Sequence, residues 1–364
     1  MKSGESEKKF LLSIIIPTYN EGKTLPQLLD RVERAPLPPN IGREIIVVDD
    51  GSMDQTVEIT KWLGSEYVLV KHSHNLGKGT AVINGLKAGR GDFTIIQYPD
   101  LEYDPNEYSK LLQPILLNKA DVVYGSRFLN GRRPKGMRLV SKLANWLLTA
   151  WSNLLTGLKL ADMETCYKVF NRRVVDMIKS QLVSSGFSIE PEITALVKKF
   201  RVVEVPISYQ GRSKLEGKKV NWKDGVQGLY DIARFNLPER VRVGLTFLVA
   251  GGIGAGTNIL LLYILTSIFG WWYLLSATIS FIIAATLSFY LQKFWTFDNN
   301  SRDKIRGQLA IFFFVSFMNL LANDAIIYLL VEYASIWYVF AQVCASALVA
   351  IWSFFIYKRL FKNS

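Results

Sequence analysis

The chain has 364 residues, of which 49% are hydrophobic, and a formal net charge of +12. This length predicts two or three domains. A positive balance of this size suits nucleic acid, an anionic membrane surface or a phosphorylated substrate as partner. Because the sequence shows no nucleic-acid-binding module, we expect membrane lipids and phosphate as partners, and no nucleic acid. Most of the charge lies before residue 240 and long apolar runs follow Leu245, which predicts the main domain boundary between them.

Short apolar runs and helical patterns alternate in the N-terminal part. In chain order, the predicted elements are a strand over 11–16, a helix over 25–32, a strand over 44–48, a helix ending near Leu63, a strand over 67–70, a helix over 78–88 and a strand over 93–97. Ser52 and Gln55 fit a capping box for the second helix. This alternation predicts an α/β domain with a largely parallel sheet.

Polar clusters follow three of the predicted strands, at residues 17–21, 49–54 and 100–104. Ligands of such sheets bind beyond the carboxyl ends of the strands. Within the third cluster, Asp100 and Glu102 are two residues apart, so that both carboxylates can reach one divalent cation. Mg²⁺ and Mn²⁺ prefer oxygen ligands and often share them with substrate phosphates. Two acids that merely decorate a loop are the other interpretation of this spacing.

Four apolar stretches of the C-terminal part are near the ~20 residues that a membrane helix needs. They cover residues 245–265, 273–291, 309–331 and 338–356. Basic residues precede the first stretch, lie between the second and third, and follow the last: Arg240, Arg242, Lys293, Arg302, Lys304, Arg306, Lys358, Arg359 and Lys362. The positive-inside rule then predicts that both ends and the middle loop are cytoplasmic, which places the α/β domain in the cytoplasm.

The motifs of the first part stand in a recognisable order. Residues 17–21 (PTYNE), 49–56 (DDGSMDQT), 75–79 (NLGKG) and 91–92 (GD) precede Asp100. This series resembles the family 2 glycosyltransferases, which are inverting enzymes with the A-type fold, a Rossmann-like α/β architecture. Residues 121–127 (DVVYGSR) and 162–168 (DMETCYK), followed by Arg212 and Lys218, are similar to the polyprenyl-phosphate mannose and glucose synthases.

The membrane part is similar to the small four-helix GtrA-like family through Arg242, Asn258 and residues 292–297 (QKFWTF). Together the two resemblances imply a cytoplasmic glycosyltransferase domain over 1–238, with an interfacial segment over 214–238, and a transmembrane domain over 239–364. They imply the transfer of a hexose from GDP-mannose or UDP-glucose, with inversion, to a polyprenyl or dolichyl phosphate. Whether the chain forms a homo-oligomer stays open.

The resemblance also implies roles for individual residues. Nucleotide binding is implied for Pro17, Tyr19, Glu21, Asp49, Asp50 and Lys78. Asp100 and Glu102 would hold Mg²⁺ or Mn²⁺ on the diphosphate. The lipid phosphate would be received by Arg127, Arg138 and Ser141. The catalytic set is Asp100 and Arg127 together with Arg212 and Lys218, which would close over the diphosphate.

The chain departs from the family at Tyr98, where the usual Asp-Ala-Asp pattern has its first acid. Tyr98, together with Asp324 inside the third apolar stretch, motivates one alternative, a lipid-sugar flippase with a nucleotide-sensing head. Asp324 is equally interpreted as a buried structural residue. A processive polysaccharide synthase is another alternative, although the Gln-x-x-Arg-Trp motif of such enzymes is missing. His72 and His74 are expected to be ordinary surface residues.

Overall fold

The computed structural model describes residues 10–129, 134, 136–211 and 222–362. The chain forms two compact units, Met1–Leu237 and Pro238–Ser364. The strands of the first unit are β1 (Phe10–Thr18), β2 (Ile41–Asp49), β3 (Tyr67–Lys71), β4 (Phe93–Ile96), β5 (Val122–Ser126), β6 (Lys168–Asn171) and β7 (Val202–Pro206). Its helices are α1 (Leu25–Arg34), α2 (Thr56–Lys61), α3 (Lys78–Ala88), α4 (Tyr108–Leu116), α5 (Leu139–Thr156), α6 (Arg172–Ile178), α7 (Ile189–Val197) and α8 (Trp222–Asn236).

The strands form one sheet in the order β3-β2-β1-β4-β6-β5-β7. All paired strands are parallel except β6, which runs antiparallel to both β4 and β5. The prediction of a largely parallel α/β sheet is therefore confirmed. Because β6 is reversed, the residues before it lie at the same edge as the carboxyl ends of β1, β2, β4 and β5. This edge carries the candidate site.

Helices cover both faces of the sheet, which explains why the strands are continuous apolar runs rather than alternating ones. On one face, Ile14 and Ile16 of β1 pack in a core that includes the buried side of α1 and α4. On the other face, Ile15 of β1 packs with residues of α3, α6 and α7. Successive side chains of β1 thus alternate between two cores, as the pleat of a strand requires.

The capping box predicted at Ser52 is wrong. The Ser52 hydroxyl accepts a hydrogen bond from the backbone N–H of Asn20 at 3.0 Å instead of capping the helix. Asp54 takes its place, because its Oδ1 atom accepts from the backbone N–H of Thr56 at 2.9 Å. Helix α2 accordingly starts at Thr56 and ends at Lys61, short of the predicted end near Leu63. The loops after β1 and β2 are thereby tied to each other.

The second unit contains α9 (Glu239–Tyr263), α10 (Tyr273–Tyr290), α11 (Ile305–Glu332) and α12 (Tyr338–Lys362), with π-helical turns at Ile264–Ile268 and Leu291–Thr296. In the described part of the chain, four helical segments are long and apolar enough to cross a membrane: Glu239–Ile268, Tyr273–Thr296, Ile305–Glu332 and Phe340–Phe361. The four predicted membrane helices are confirmed, each longer than its apolar stretch by up to several residues at one or both ends.

A buried lysine joins three helical segments of the second unit. Lys293 is fully buried, and its Nζ atom donates to Asn299 Oδ1 and Gln308 Oε1, both at 2.8 Å. Asn299 and Gln308 donate in turn to the backbone carbonyls of Phe361 and Leu360 near the end of α12. The last carbonyls of a helix have no hydrogen-bond partner within the helix, and here Asn299 and Gln308 supply one. Asp324, by contrast, is exposed on α11, so the interpretation of Asp324 as a buried residue is wrong.

Candidate active site

The two acids at the end of β2 have different surroundings. Asp49 is fully buried, and its Oδ1 atom accepts from the backbone N–H of Ser52 at 3.0 Å. Its Oδ2 atom is buried and has no hydrogen-bond partner among the described residues. A buried polar atom without a partner is costly and calls for an explanation.

The Asp50 carboxylate already accepts hydrogen bonds from other residues of the protein. It accepts from the backbone N–H groups of Leu76 at 2.8 Å and Gly77 at 2.9 Å. His72 Nδ1 lies 2.7 Å from Asp50 Oδ1, and His72 Nε2 lies 2.8 Å from the Asn84 amide nitrogen. His72 is therefore buried, and the expectation that it is a surface residue is wrong; His74 is exposed as expected. Of the two acids, Asp49 is the one with a carboxylate oxygen that has no hydrogen-bond partner among the described residues.

The acidic loop after β4 has a constrained backbone. Leu101, between Asp100 and Glu102, has a φ of 59°, which is uncommon for a bulky residue and is found where function maintains strain. The backbone N–H of Glu102 donates to Asp100 Oδ1 at 3.2 Å. Tyr209, beyond β7, donates its hydroxyl to Glu102 Oε2 at 2.7 Å. Both residues are half-buried.

The acidic loop provides some, but not all, of the oxygen ligands that a hard cation such as Mg²⁺ needs. Asp100 and Glu102 supply carboxylate oxygens, which Mg²⁺ and Mn²⁺ prefer. Within the described residues, no group of three or more His, Cys, Asp or Glu is arranged to hold a metal. Because Mg²⁺ demands close to six oxygens and commonly takes several from water and substrate phosphates, the two carboxylates fit a cation that arrives with a diphosphate.

Lys78, at the start of α3, pairs with one acid and lies near two aromatic rings, of which the Phe187 ring is the more distant at 5.3 Å. Its Nζ atom lies 3.1 Å from Glu190 Oε1 and 4.1 Å from the centre of the Tyr98 ring. Burial alone would lower the pKa of Lys78, but the charge of Glu190 and its hydrogen bond, together with other nearby negative groups, raise that pKa. The ammonium is therefore charged throughout the physiological range.

Glu164, in the segment before β6, is an acid of the site whose proton affinity is raised. Burial raises the pKa of Glu164 to about 7, and the negative charge of Glu190 adds to this. The ammonium groups of Lys168 and Lys78 oppose the shift. Glu164 therefore gains or loses its charge close to neutral pH.

Arg127 follows β5 and is 7% exposed. Its Nε and Nη2 atoms donate to the two carboxylate oxygens of Asp162, each at 2.7 Å, and Nη2 also donates to Asn145 Oδ1 at 3.1 Å. Burial alone would lower the pKa of Arg127, but the charge of Asp162 raises it. The guanidinium lies 5.2 Å from the centre of the Tyr209 ring. Tyr209 is thus the link between Arg127 and the acidic loop at Glu102.

The other two residues implied for the lipid phosphate lie at the start of α5. Arg138 is the exposed residue that precedes the helix, and Ser141 is half-buried in its first turn. Asn145, which contacts Arg127, is one turn further along the same helix. Ser141 therefore lies on the same helix as a residue that contacts Arg127. Arg212 and Lys218, the other members of the catalytic set, lie outside the described residues.

Two residues of the site were missed by the sequence analysis. Glu190 and Tyr209 come from α7 and from the loop after β7, 88 or more residues beyond Asp100 and Glu102 in the chain. For Glu190 a signal existed, because the first turn of α7 carries two acids, Glu190 and Glu192, next to apolar residues. Both are buried at 3% exposure, which is rare for acids that lack a partner. For Tyr209 we find no such signal.

Comparison with known proteins agrees with the geometry. A model described as glycosyl transferase family 2 matches residues 13–178, and one described as GtrA/DPMS, transmembrane domain, matches residues 246–361. The chain is 28% identical to the dolichol-phosphate mannosyltransferase of Pyrococcus furiosus, over 91% of this chain and 93% of that protein. It is 34% identical to the polyprenol monophosphomannose synthase of Mycolicibacterium smegmatis, over 61% of this chain and 89% of that protein.

The chain is also similar to a solved structure of glucosyl-3-phosphoglycerate synthase from Mycobacterium tuberculosis, in complex with Mn²⁺, uridine diphosphate and glucosyl-3-phosphoglycerate. The match covers 63% of this chain and 81% of that one, with 18% identity and a TM-score of 0.48.

The sheet, the acidic loop and the family matches define a glycosyltransferase with the A-type fold. More closely, the chain belongs to glycosyltransferase family 2 and is a dolichol-phosphate mannosyltransferase-like membrane enzyme with a GtrA/DPMS transmembrane domain.

Proposed function

We propose that this enzyme transfers a hexose from GDP-mannose or UDP-glucose to a polyprenyl or dolichyl phosphate, with inversion at the anomeric carbon. The observation that carries the proposal is the position of Tyr209 between two phosphate-binding candidates. Its hydroxyl donates to Glu102 on the acidic loop, and its ring faces the guanidinium of Arg127. A donor diphosphate at the first group and an acceptor phosphate at the second would be neighbours.

The reaction is a single displacement. A phosphate oxygen of the lipid forms a bond to the anomeric carbon, and the bond from that carbon to the diphosphate breaks with its electron pair leaving on the nucleotide. A phosphate monoester has a second pKa near ~6, so that the acceptor is mostly ionised at neutral pH and needs no strong base. Alignment of the two phosphates then supplies much of the rate enhancement.

The residues of the chain bind and align. Asp49 accepts from the nucleoside through its buried Oδ2 atom, and Lys78 presents a cation toward the diphosphate. Asp100 and Glu102 would hold Mg²⁺ or Mn²⁺, which when bound neutralises charge on the departing diphosphate. Arg127 would offer the acceptor phosphate a positive charge held in place by Asp162, which already uses the two-point hydrogen-bonding geometry of the guanidinium.

Helix α5 supports delivery of the acceptor from a bilayer. Leu139, Leu143, Trp146 and Leu154 are all exposed on it at 58% or more. An amphipathic helix of this kind lies in the interface between headgroups and acyl chains. Together with the basic residues that flank the four membrane helices, this supports a cytoplasmic catalytic domain.

The test uses the purified full-length chain in lipid nanodiscs with undecaprenyl phosphate. Radiolabelled GDP-mannose, UDP-glucose and, because a 29% identical relative from Methanococcus voltae is named for that donor, UDP-N-acetylglucosamine are supplied separately. We expect labelled lipid with one of the first two, and an anomeric configuration opposite to that of the donor. A labelled water-soluble polymer would indicate a polysaccharide synthase, and lipid translocation without any transfer would indicate a flippase; either result contradicts the proposal.

A further inference from the structure

Tyr98 stands where the resembled family has the first acid of its metal motif, and the structure shows what it contacts instead. The side chain is 7% exposed, and its hydroxyl donates to Glu190 Oε1 at 3.1 Å. The face of its ring lies 4.1 Å from Lys78 Nζ. Tyr98 therefore contacts both partners of the Lys78–Glu190 ion pair, two residues before Asp100.

Glu190 is shared between two ammonium groups. Its Oε1 atom pairs with Lys78, and its Oε2 atom pairs with Lys168 in a very short contact. Lys168 is fully buried and also donates to the backbone carbonyl of Thr165. The side chain of Lys78, in contrast, is 23% exposed. One carboxylate thus faces two cations, and of the two it is Lys78 that a ligand can reach.

The residue at position 98 affects how strongly the positive charge of Lys78 attracts a ligand. An aspartate there would place a second carboxylate near Lys78 and offset its charge. A tyrosine ring attracts a cation through its quadrupole without cancelling the charge. The Tyr98 hydroxyl also donates a hydrogen bond to Glu190 Oε1, the oxygen that pairs with Lys78. That oxygen is therefore shared between Tyr98 and Lys78.

We propose that Tyr98 and Glu190 are positioning residues that hold the Lys78 ammonium toward the diphosphate of the nucleotide donor. The inference rests on the proposed function, because it takes a nucleoside diphosphate as the ligand. It assigns to Tyr98 a task other than binding metal. It also explains why a buried acid, Glu190, occurs on α7 with two lysine partners.

The test is calorimetric and needs no turnover. UDP and GDP, and the nucleosides uridine and guanosine, are titrated into the full-length protein in excess chelator. We expect Lys78→Met to weaken diphosphate binding about tenfold and leave nucleoside binding unchanged, because only the diphosphate carries the charge that Lys78 meets. Tyr98→Phe keeps the ring and should cost about threefold, whereas Tyr98→Leu loses the ring too and should approach the effect of Lys78→Met.

A double variant separates positioning from mere structural support. If Tyr98 acts through Lys78, Lys78→Met combined with Tyr98→Phe should bind diphosphate no more weakly than Lys78→Met alone. Tyr67→Phe is a matched control, because Tyr67 also donates its hydroxyl to an acid, Glu33, but at the opposite end of the sheet. It should leave both affinities unchanged.

Two outcomes overturn the inference. Additive losses in the double variant, or equal losses for nucleoside and diphosphate in Tyr98→Phe, show that Tyr98 supports the fold rather than Lys78. A wild-type chain that binds neither UDP nor GDP more tightly than their nucleosides, in chelator and again with Mn²⁺ present, overturns the proposed function as well. A wild-type chain that prefers the diphosphate, with Tyr98 variants that retain this preference in full, overturns the inference alone.

Discussion

Arg127 and Asp162 form a buried ion pair through two parallel hydrogen bonds, and the backbone N–H of Arg127 adds a third to Asp162 Oδ2 at 3.0 Å. Asp162 is fully buried. The pair joins the residue after β5 to the segment before β6. Arg127 therefore stabilises the fold and is also a candidate to bind the lipid phosphate. The two roles are tested with different variants.

Replacing Arg127 by alanine should destabilise the fold, because it leaves the charge of Asp162 buried without a partner, at a cost of about 3–5 kcal/mol. Arg127→Lys keeps the charge and loses the two-point geometry. We expect this variant to raise the KM for polyprenyl phosphate at least several-fold while nucleotide affinity, measured by calorimetry, stays within twofold. Arg201→Lys is the matched control, since Arg201 makes the same two-point pair with Asp121 before β5. Equal losses of lipid and nucleotide binding in Arg127→Lys would contradict the role.

The two acids at the end of β2 should separate binding from stability. Asp49→Asn should weaken binding of the nucleoside about tenfold, because the buried Oδ2 atom is the one we expect the nucleoside to use. Asp50→Asn should instead lower the free energy of unfolding by about 1–3 kcal/mol, since it disturbs a carboxylate that serves His72, Leu76 and Gly77. Calorimetry and thermal unfolding of both variants check this, and nucleoside binding unchanged in Asp49→Asn would refute the assignment.

Metal binding should depend on nucleotide. With only Asp100 and Glu102 as ligands, Mn²⁺ should bind weakly to the free protein and much more tightly when a nucleoside diphosphate supplies further oxygens. Asp100→Asn should abolish transfer, whereas Tyr98→Asp should tighten Mn²⁺ binding to the free protein at the expense of the contact between Tyr98 and Lys78. Titration of Mn²⁺ by its paramagnetic signal, with and without UDP or GDP, measures this. Tight binding to the nucleotide-free protein, or full transfer in excess chelator, would be the opposite result.

Glu164 should make stability depend on pH. Burial raises the pKa of Glu164 to about 7 in the folded protein, from 4.5 for the ordinary side chain. The folded state therefore holds the proton more tightly than the unfolded state. This contribution to stability is fully present below pH 4.5 and is lost as the pH rises toward and through 7. Glu164→Gln keeps a neutral side chain at every pH and should flatten this slope.

The measurement is the midpoint of thermal unfolding between pH 5 and 8, for the wild type and Glu164→Gln. Glu44→Gln is the control, because its hydrogen bonds from Arg90 and Ser13 outweigh burial and lower the pKa of Glu44. An unchanged slope in Glu164→Gln would mean that Glu164 does not carry a proton at neutral pH in the folded chain.

The first four strands could be placed from the sequence to within three residues at each end, with the largest difference at the start of β2. They could be placed because their apolar runs end at proline, acidic or other polar residues. The direction of β6 could not be predicted, since four residues carry no pattern that distinguishes parallel from antiparallel pairing. Nor could the burial of His72, because its partners Asp50 and Asn84 are brought to it by the sheet.

The candidate site was predicted as a set of motifs but not as a set of contacts. Asp49, Asp100 and Arg127 lie at the edge where the carboxyl ends of strands meet, as their motif order implied. What the sequence could not show is which acids are already satisfied by the protein. That depends on hydrogen bonds between residues far apart in the chain, such as the bond from Tyr98 to Glu190, 92 positions away.

The reversed direction of β6 has a consequence for how the chain tolerates insertions. Because β6 runs against its neighbours, the segment from Gly157 to Tyr167 approaches the catalytic edge, whereas the chain leaves β6 for α6 at the far edge. Extra residues between α5 and β6 would lie beside Asp162, the ion-pair partner of Arg127. Extra residues between β6 and α6 would lie at the opposite side of the sheet. Members of the family that differ in length between α5 and β6 should therefore differ in which acceptor they use, while those that differ at the other end should not.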